Sequence, residues 1–170
     1  MGLEENVRPR TTLPDGWLSD DEASELRRVA TDKTVLELGA WKGRSTVVFA
    51  SVAEHVVSVD RHQGIEEVGG DDSLPDYLAA VRGLGNVTIV VGDFDRVVPL
   101  FRDTFDVVYV DGNHDVGSAI NDINLAIEVA RDSGVIVLHD FDFESVQEAA
   151  NETLGGLPDS LVGSVAVFSR

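Results

Sequence analysis

Five apolar runs of strand length punctuate the chain: TVLEL (34–38), HVVSVD (55–60), NVTIVVGD (86–93), FDVVYVD (105–111) and GVIVLHD (134–140). They are rich in valine and isoleucine and do not alternate polar with apolar, the pattern of strands buried on both faces. Segments of helical spacing lie between them, at about 44–53, 74–83, 95–101 and 117–131. In the last, Ile120, Ile123, Ala126, Ile127 and Ala130 recur on one face. Upstream, SDDEASELRRVA opens with the capping-box pair Ser19 and Glu22. Ala23, Leu26, Val29 and Ala30 then share a helical face. A helix near 144–154 and a single strand near 161–168 are expected to close the chain. Strand and helix alternate from residue 34 to about 154. The fold class expected is therefore α/β: a Rossmann-like, doubly wound, mostly parallel sheet with helices on both faces and a C-terminal antiparallel strand.

Composition narrows the function. The 170 residues suit one domain. The net charge is -18, and Lys33 and Lys42 are the only lysines. Phosphate contacts need lysine and arginine, so a nucleic-acid partner is disfavoured. Adaptation to high salt and an arginine-favouring genome both fit this bias. No run is long enough to span a bilayer, and MGLEENVRPR holds no apolar signal core. Gly2 follows Met1, but Asn6 stands where a myristoylation signal needs Ser or Thr. There are no cysteines, which excludes disulfides and thiolate zinc sites. The expectation is a cytoplasmic protein with no membrane contact.

The apolar runs end in acids: Asp60, Asp93, Asp111 and Asp140, with Glu37 just before the first glycine turn. In a parallel sheet these ends line one edge, where open α/β sheets bind ligands. Any one of them is explained equally well as a helix cap. A row of five is not, because clustered carboxylates repel and call for a cationic or hydroxyl-rich occupant. The loop RHQGIEEVGGDDS (61–73) leaves from the same edge. The turn Gly39-Ala-Trp-Lys-Gly43 lacks the central glycine of a dinucleotide fingerprint, and Gly43-Arg44-Ser45 lacks the lysine of a phosphate loop. S-adenosylmethionine has no phosphate. Glu37 suits its cationic methionine end, and amides from Gly43 to Ser45 suit its carboxylate. Asp60 stands about 20 residues on, where an acid meets ribose hydroxyls. Asp93 is placed to accept from an adenine amino group.

These stretches carry a resemblance. VLELGAWKGRST, VVSVDRH, VVGDF, FDVVYVDGNHD and SGVIVLHDFD resemble, in order and spacing, the motifs of the class I methyltransferases. The likeness is to catechol O-methyltransferase and the small-molecule O-methyltransferases of methyltransferase family 24. It spans about 33–142, and VGSVAVFSR is similar to the family's last strand. It implies an N-terminal arm and helix (1–32), a cofactor-binding core (33–142) and a C-terminal helix and strand (143–170). It also implies a cofactor site of Glu37, Gly39, Ala40, Trp41, Gly43, Ser45, Asp60, Arg61, Asp93, Phe94 and Asp111.

The reacting end follows from DGNHD and HD. Two carboxylates and an imidazole can hold a divalent ion. In relatives that use metal, Asp111 and Asp140 fall on magnesium-ligand positions. The third ligand departs: Phe141 replaces the asparagine of the catechol enzymes, and His139 replaces the acid of the sugar and antibiotic enzymes. A divalent ion held by Asp111, His139 and Asp140, magnesium or manganese, is the expectation; imidazole is a poorer partner for magnesium than for manganese, iron or zinc, and the metal's identity is open. His114 falls where relatives carry a catalytic lysine or histidine and suits a general base acting with Asp111. The competing reading of His114 is a loop histidine hydrogen-bonded to a neighbouring carboxylate such as Asp115. His139 is a ligand or a structural strand end, and His55 is structural. His62 either lines the cofactor pocket or lies exposed. Trp41 either covers the cofactor or packs in the core.

The expected activity is methyl transfer from S-adenosylmethionine to a hydroxyl of a small molecule. A non-catalytic binding module and an N-methyltransferase stay open. Only about thirty residues precede the first strand, so a homodimer could complete the acceptor pocket.

Overall fold

The computed structural model describes residues 13–63, 72–101 and 104–170. The arm at 1–12, with Gly2 and Asn6, and most of the 61–73 loop lie outside the described residues. The elements run α1 (Asp20–Ala30), β1 (Thr34–Leu38), α2 (Arg44–Ala50), β2 (His55–Asp60), α3 (Leu74–Val81), β3 (Val87–Val91), α4 (Phe94–Val97), β4 (Phe105–Val110), α5 (Val116–Val129), β5 (Ala130–Leu138), α6 (Glu144–Thr153), β6 (Ser160–Val162) and β7 (Val165–Ser169). No helix of the described residues is long and apolar enough to cross a membrane.

The sheet has the order β3-β2-β1-β4-β5-β7-β6. Strands β1 to β5 pair in parallel. Strand β7 pairs antiparallel with β5, and β6 with β7. The chain winds outward from β1 to β3, then returns to lay β4 on the other side of β1. That reversal opens a crevice at the C-terminal ends of β1 and β4, where this topology places ligands. The doubly wound α/β sheet is as expected.

Alternate residues of β1, β2 and β4 feed two cores, whereas β3, expected to be buried on both faces, is the edge strand and leaves Thr88, Ile89 and Val91 exposed. Leu36, Leu38, Val57, Val59, Val108 and Val110 pack beneath α5 and α6. Val35, Val56, Val107, Tyr109 and Val137 pack beneath α1 and α2. Burial on both faces is why these strands show no polar alternation. Helix α1 begins with the expected capping box: Ser19 Oγ accepts from the Glu22 amide, and the Ser19 amide donates to Glu22 Oε2 at 2.8 Å. The Glu22 carboxylate also accepts from the amide and hydroxyl of Ser164, which ties α1 to the β6–β7 turn.

Several boundaries differ from expectation. The single closing strand is a hairpin, because Gly163 takes a φ of +58° and reverses the chain between β6 and β7. Helix α5 stops at Val129, and Ala130, expected on its face, opens β5 instead. The helix expected at 95–101 is one turn of α4 followed by a 3-10 turn over Val98–Leu100 with Pro99 in it. Asp93, Asp111 and Asp140 stand just beyond their strands, whereas Asp60 ends β2 and Glu37 lies within β1.

Candidate active site

The glycine turn after β1 is built by close packing. Gly39 has a φ of +94°, and a Cβ there would overlap the backbone carbonyl of Asp111. The absent side chain lets the ends of β1 and β4 touch, with the Asp111 amide donating to Leu38 O at 2.8 Å. Asp60 organises the turn: its Oδ2 accepts from the amides of Ala40 (2.7 Å) and Trp41 (2.8 Å), and its Oδ1 from the amide of His62 (2.7 Å). Gly43, at φ +85°, ends the turn and offers no side chain to cap α2.

Glu37 is closed off from solvent. It is fully buried, and its carboxylate accepts 2.6 Å hydrogen bonds from Ser45, Thr46 and Ser58. The Ser45 side chain is thereby committed inward. Burial pushes the Glu37 carboxyl up to about 7, against the three hydroxyl donors that favour the charged form. Between the ordinary value and about 7, the unfolded chain has released this proton while the folded one still holds it. Stability therefore falls as pH rises through that window, by about 3 kcal/mol for a shift of this size. Asp122, raised to about 6 by burial, acts in the same direction. Glu37→Gln should flatten the difference, so urea midpoints of variant and wild type should converge at pH 5 and separate at pH 8. A constant separation across that range would contradict this assignment.

Trp41 is not a core residue. It is 37% exposed at φ +42°, and its ring stacks on Trp17 with centroids 4.5 Å apart. Lys42 Nζ lies 4.7 Å above the Trp41 ring. The segment carrying Trp17 is strapped to the start of α2 by Arg44, whose guanidinium donates to Pro14 O and Leu18 O. Trp17 was invisible to periodicity because it lies outside any regular element. At the next strand end Arg61 Nε stands 3.6 Å from Asp93 Oδ1, and Phe94 packs on the α5–α6 core beside Gly112. His62 is buried, not exposed: its Nδ1 is 3.0 Å from Ser73 Oγ and its ring lies against Tyr77. His55 meets Thr88 Oγ1 at 2.9 Å, at the opposite end of β2.

Beyond β4 and β5, two carboxylates and two imidazoles converge. His114 Nε2 lies 2.7 Å from Asp140 Oδ2. His139 Nδ1 lies 3.2 Å from the same oxygen and 3.3 Å from Asp111 Oδ1. Tyr109 Oη donates to Asp111 Oδ2 at 3.0 Å. Asp115 caps α5 through the Ser118 amide, and the carboxylate that meets His114 is Asp140. Asp140 holds a φ of +53°, strained for a residue with a side chain.

The charges are coupled. The Asp140 hydrogen bond raises the His114 imidazole above its ordinary range. Burial alone would lower His139, but Asp111 and Asp140 outweigh it and push it up to about 10. Burial alone would raise Asp140, and the two imidazoles outweigh that to hold it well below the carboxylate range.

Asp111, His139 and Asp140 each offer one ligand atom, all within 4.8 Å of one another. His139 Nδ1 is buried and faces both carboxylates without a well-aligned hydrogen bond to either. A nitrogen shared between two carboxylate oxygens in this way fits a common ligand better than a hydrogen bond. The residues present therefore fit a divalent ion with mixed oxygen and nitrogen donors.

The doubly wound sheet, its switch-point crevice and its acid rim define a class I methyltransferase fold. The sequence profile of a methyltransferase domain family, methyltransferase family 24, matches residues 36–141, and the chain belongs to that family of S-adenosylmethionine-dependent enzymes. No curated protein matches the chain in sequence. Solved structures share the fold. The O-methyltransferase TomG of Streptomyces achromogenes, involved in tomaymycin synthesis and solved with S-adenosylmethionine, is 22% identical. The match covers 92% of this chain and 81% of that one, with a TM-score of 0.66. An S-adenosylmethionine-dependent O-methyltransferase from Thermotoga maritima is 16% identical over 91% of this chain and 66% of that one, with a TM-score of 0.64. Phosphoethanolamine N-methyltransferase 1 of Haemonchus contortus, solved with phosphoethanolamine and S-adenosylhomocysteine, is 21% identical over 68% of this chain, with a TM-score of 0.54. The present chain spans a quarter of its length, 25%.

Proposed function

We propose that this protein transfers the methyl group of S-adenosylmethionine to a hydroxyl oxygen of a small molecule, with His114 as general base. One observation carries the reading: His114 and Asp140 form a base–carboxylate pair at 2.7 Å on the same rim as Asp111, whose backbone packs against the glycine turn. S-adenosylmethionine supplies an electrophilic methyl on a sulfonium. The turn from Gly39 to Ser45, with Ala40 and Trp41 held by Asp60, shapes the donor site. Arg61, Asp93 and Phe94 form its far end. The Asp111 carboxylate faces the methionine end, while buried Glu37 sets the turn's shape through Ser45.

Donating from Nε2 to Asp140 leaves His114 Nδ1 as its basic nitrogen. There it takes the acceptor's hydroxyl proton as the oxygen is alkylated, and Asp140 stabilises the imidazolium that forms. Asp111, His139 and Asp140 would hold a divalent ion, magnesium or manganese, which when bound acidifies and orients a coordinated hydroxyl. Asp111 and Asp140 favour the protonated form of His139, so loading the ion should release a proton. The O-methyltransferase neighbours support a hydroxyl acceptor, and the net charge of -18 argues against a nucleic acid.

The test is transfer of tritium from methyl-labelled S-adenosylmethionine to panels of small hydroxyl and amine compounds, with manganese or chelator. Label should enter a hydroxyl compound and fall with chelator. Label confined to amines and indifferent to chelator would replace this reading with N-methylation.

A further inference from the structure

Phe143 breaks a local rule. It is the N-cap of α6, a position where Ser, Thr, Asp or Asn normally caps the first amides, and it makes no capping hydrogen bond. Its ring is 48% exposed, so burial does not explain the choice either. The ring instead stacks on the imidazole of His114, with centroids 4.8 Å apart and planes 17° from parallel. Local conflicts of this kind concentrate where function overrides propensity.

The backbone holds the ring in place. The Phe143 amide donates to Asp140 O at 3.0 Å, and the Phe143 carbonyl accepts from the amides of Val146 and Gln147 at 3.1 Å. The Gln147 side chain donates to Phe141 O at 2.8 Å. Asp140 and Phe143 thus sit on one rigid connection between β5 and α6. The first grips His114 at Nε2, and the second covers one face of its ring. His114 itself comes from a different connection, the β4–α5 loop, and its side chain is 44% exposed. Asp140 alone would leave the imidazole free to swing about the Nε2 contact. A flat ring stacked on it removes that freedom.

We infer that Phe143 is a positioning residue for His114: it fixes the plane of the imidazole so that Nε2 stays on Asp140 and Nδ1 keeps a single direction. The inference rests on the role given to His114 above. Misaligning a base in this way lowers turnover without weakening donor binding.

The experiment compares Phe143→Ser, Phe143→Leu and Phe143→Tyr in the full chain. Serine is a good N-cap, so F143S should melt at the wild-type temperature or higher. With the hydroxyl compound found in the tritium screen, kcat should fall roughly tenfold in F143S and F143L and return in F143Y. Binding of S-adenosylhomocysteine should be unchanged in all three. In a His114→Ala background F143S should have no further effect. Wild-type kcat in F143S, or rescue by leucine as full as by tyrosine, would overturn the inference. An NMR readout separates this from failure of the function itself. The His114 imidazole signal, assigned by its loss in His114→Gln, should be shifted by the aromatic ring in wild type and F143Y and not in F143S. If no acceptor is methylated, the proposed function falls. A His114 signal identical in wild type and F143S would then overturn the stacking as well.

Discussion

Gly39→Ala is expected to destabilise the fold by about 3 kcal/mol or more and to abolish binding of S-adenosylhomocysteine. Two effects add. The residue sits at φ +94°, which strains any side chain, and the new methyl would overlap the Asp111 carbonyl. Relief requires β1 and β4 to part at the switch point. The Gly39 amide donates to Val59 O and the Asp111 amide to Leu38 O, so the movement would break the hydrogen bonds that close the crevice floor. Urea unfolding measures the first effect and calorimetry the second. Gly155→Ala is the control: φ there is +65°, yet nothing lies within 4 Å of the added methyl. It should show the backbone strain alone and leave binding intact.

His114→Ala is expected to lower kcat by about 10² to 10⁴ while leaving the affinity for S-adenosylhomocysteine and the melting temperature near wild type. The side chain is half-exposed, and Asp140 keeps His139 as a partner, so little folding energy rides on it. The pH profile gives a second reading. A base works only when unprotonated, so turnover should rise with pH, and the Asp140 hydrogen bond places that rise above the ordinary imidazole range. Removing the carboxylate with Asp140→Asn should move it downward. A profile that ignores Asp140 would show that another group takes the proton.

The fold was legible where physics acts locally. Strands buried on both faces are apolar nearly throughout, as Val107 to Val110 are, and capping at Ser19 and Glu22 needs only four residues. The β6–β7 hairpin was hidden because β6 is three residues long and Gly163 interrupts what reads as one run. The acid rim was legible as a set, but the directions of its side chains were not. Glu37 lies two positions before the glycine of the turn like a ligand-facing acid, yet strand parity buries it among Ser45, Thr46 and Ser58, which come from two places in the chain, the start of α2 and the middle of β2. Nothing local to His114 identifies Asp140 or Phe143 as its neighbours, because the contact joins loops after two different strands. Trp17 met Trp41 through a strap made by Arg44, a long-range tie with no periodic signature.

We propose that the crevice between the ends of β1 and β4 receives a sulfonium methyl donor through its rim of acids. Titration calorimetry of the full chain with S-adenosylhomocysteine, beside Asp111→Asn and Asp60→Asn, tests it most directly. Wild type should bind one-to-one with micromolar affinity, and each variant should bind at least tenfold more weakly. No heat up to millimolar product, or equal binding in all three proteins, would contradict it.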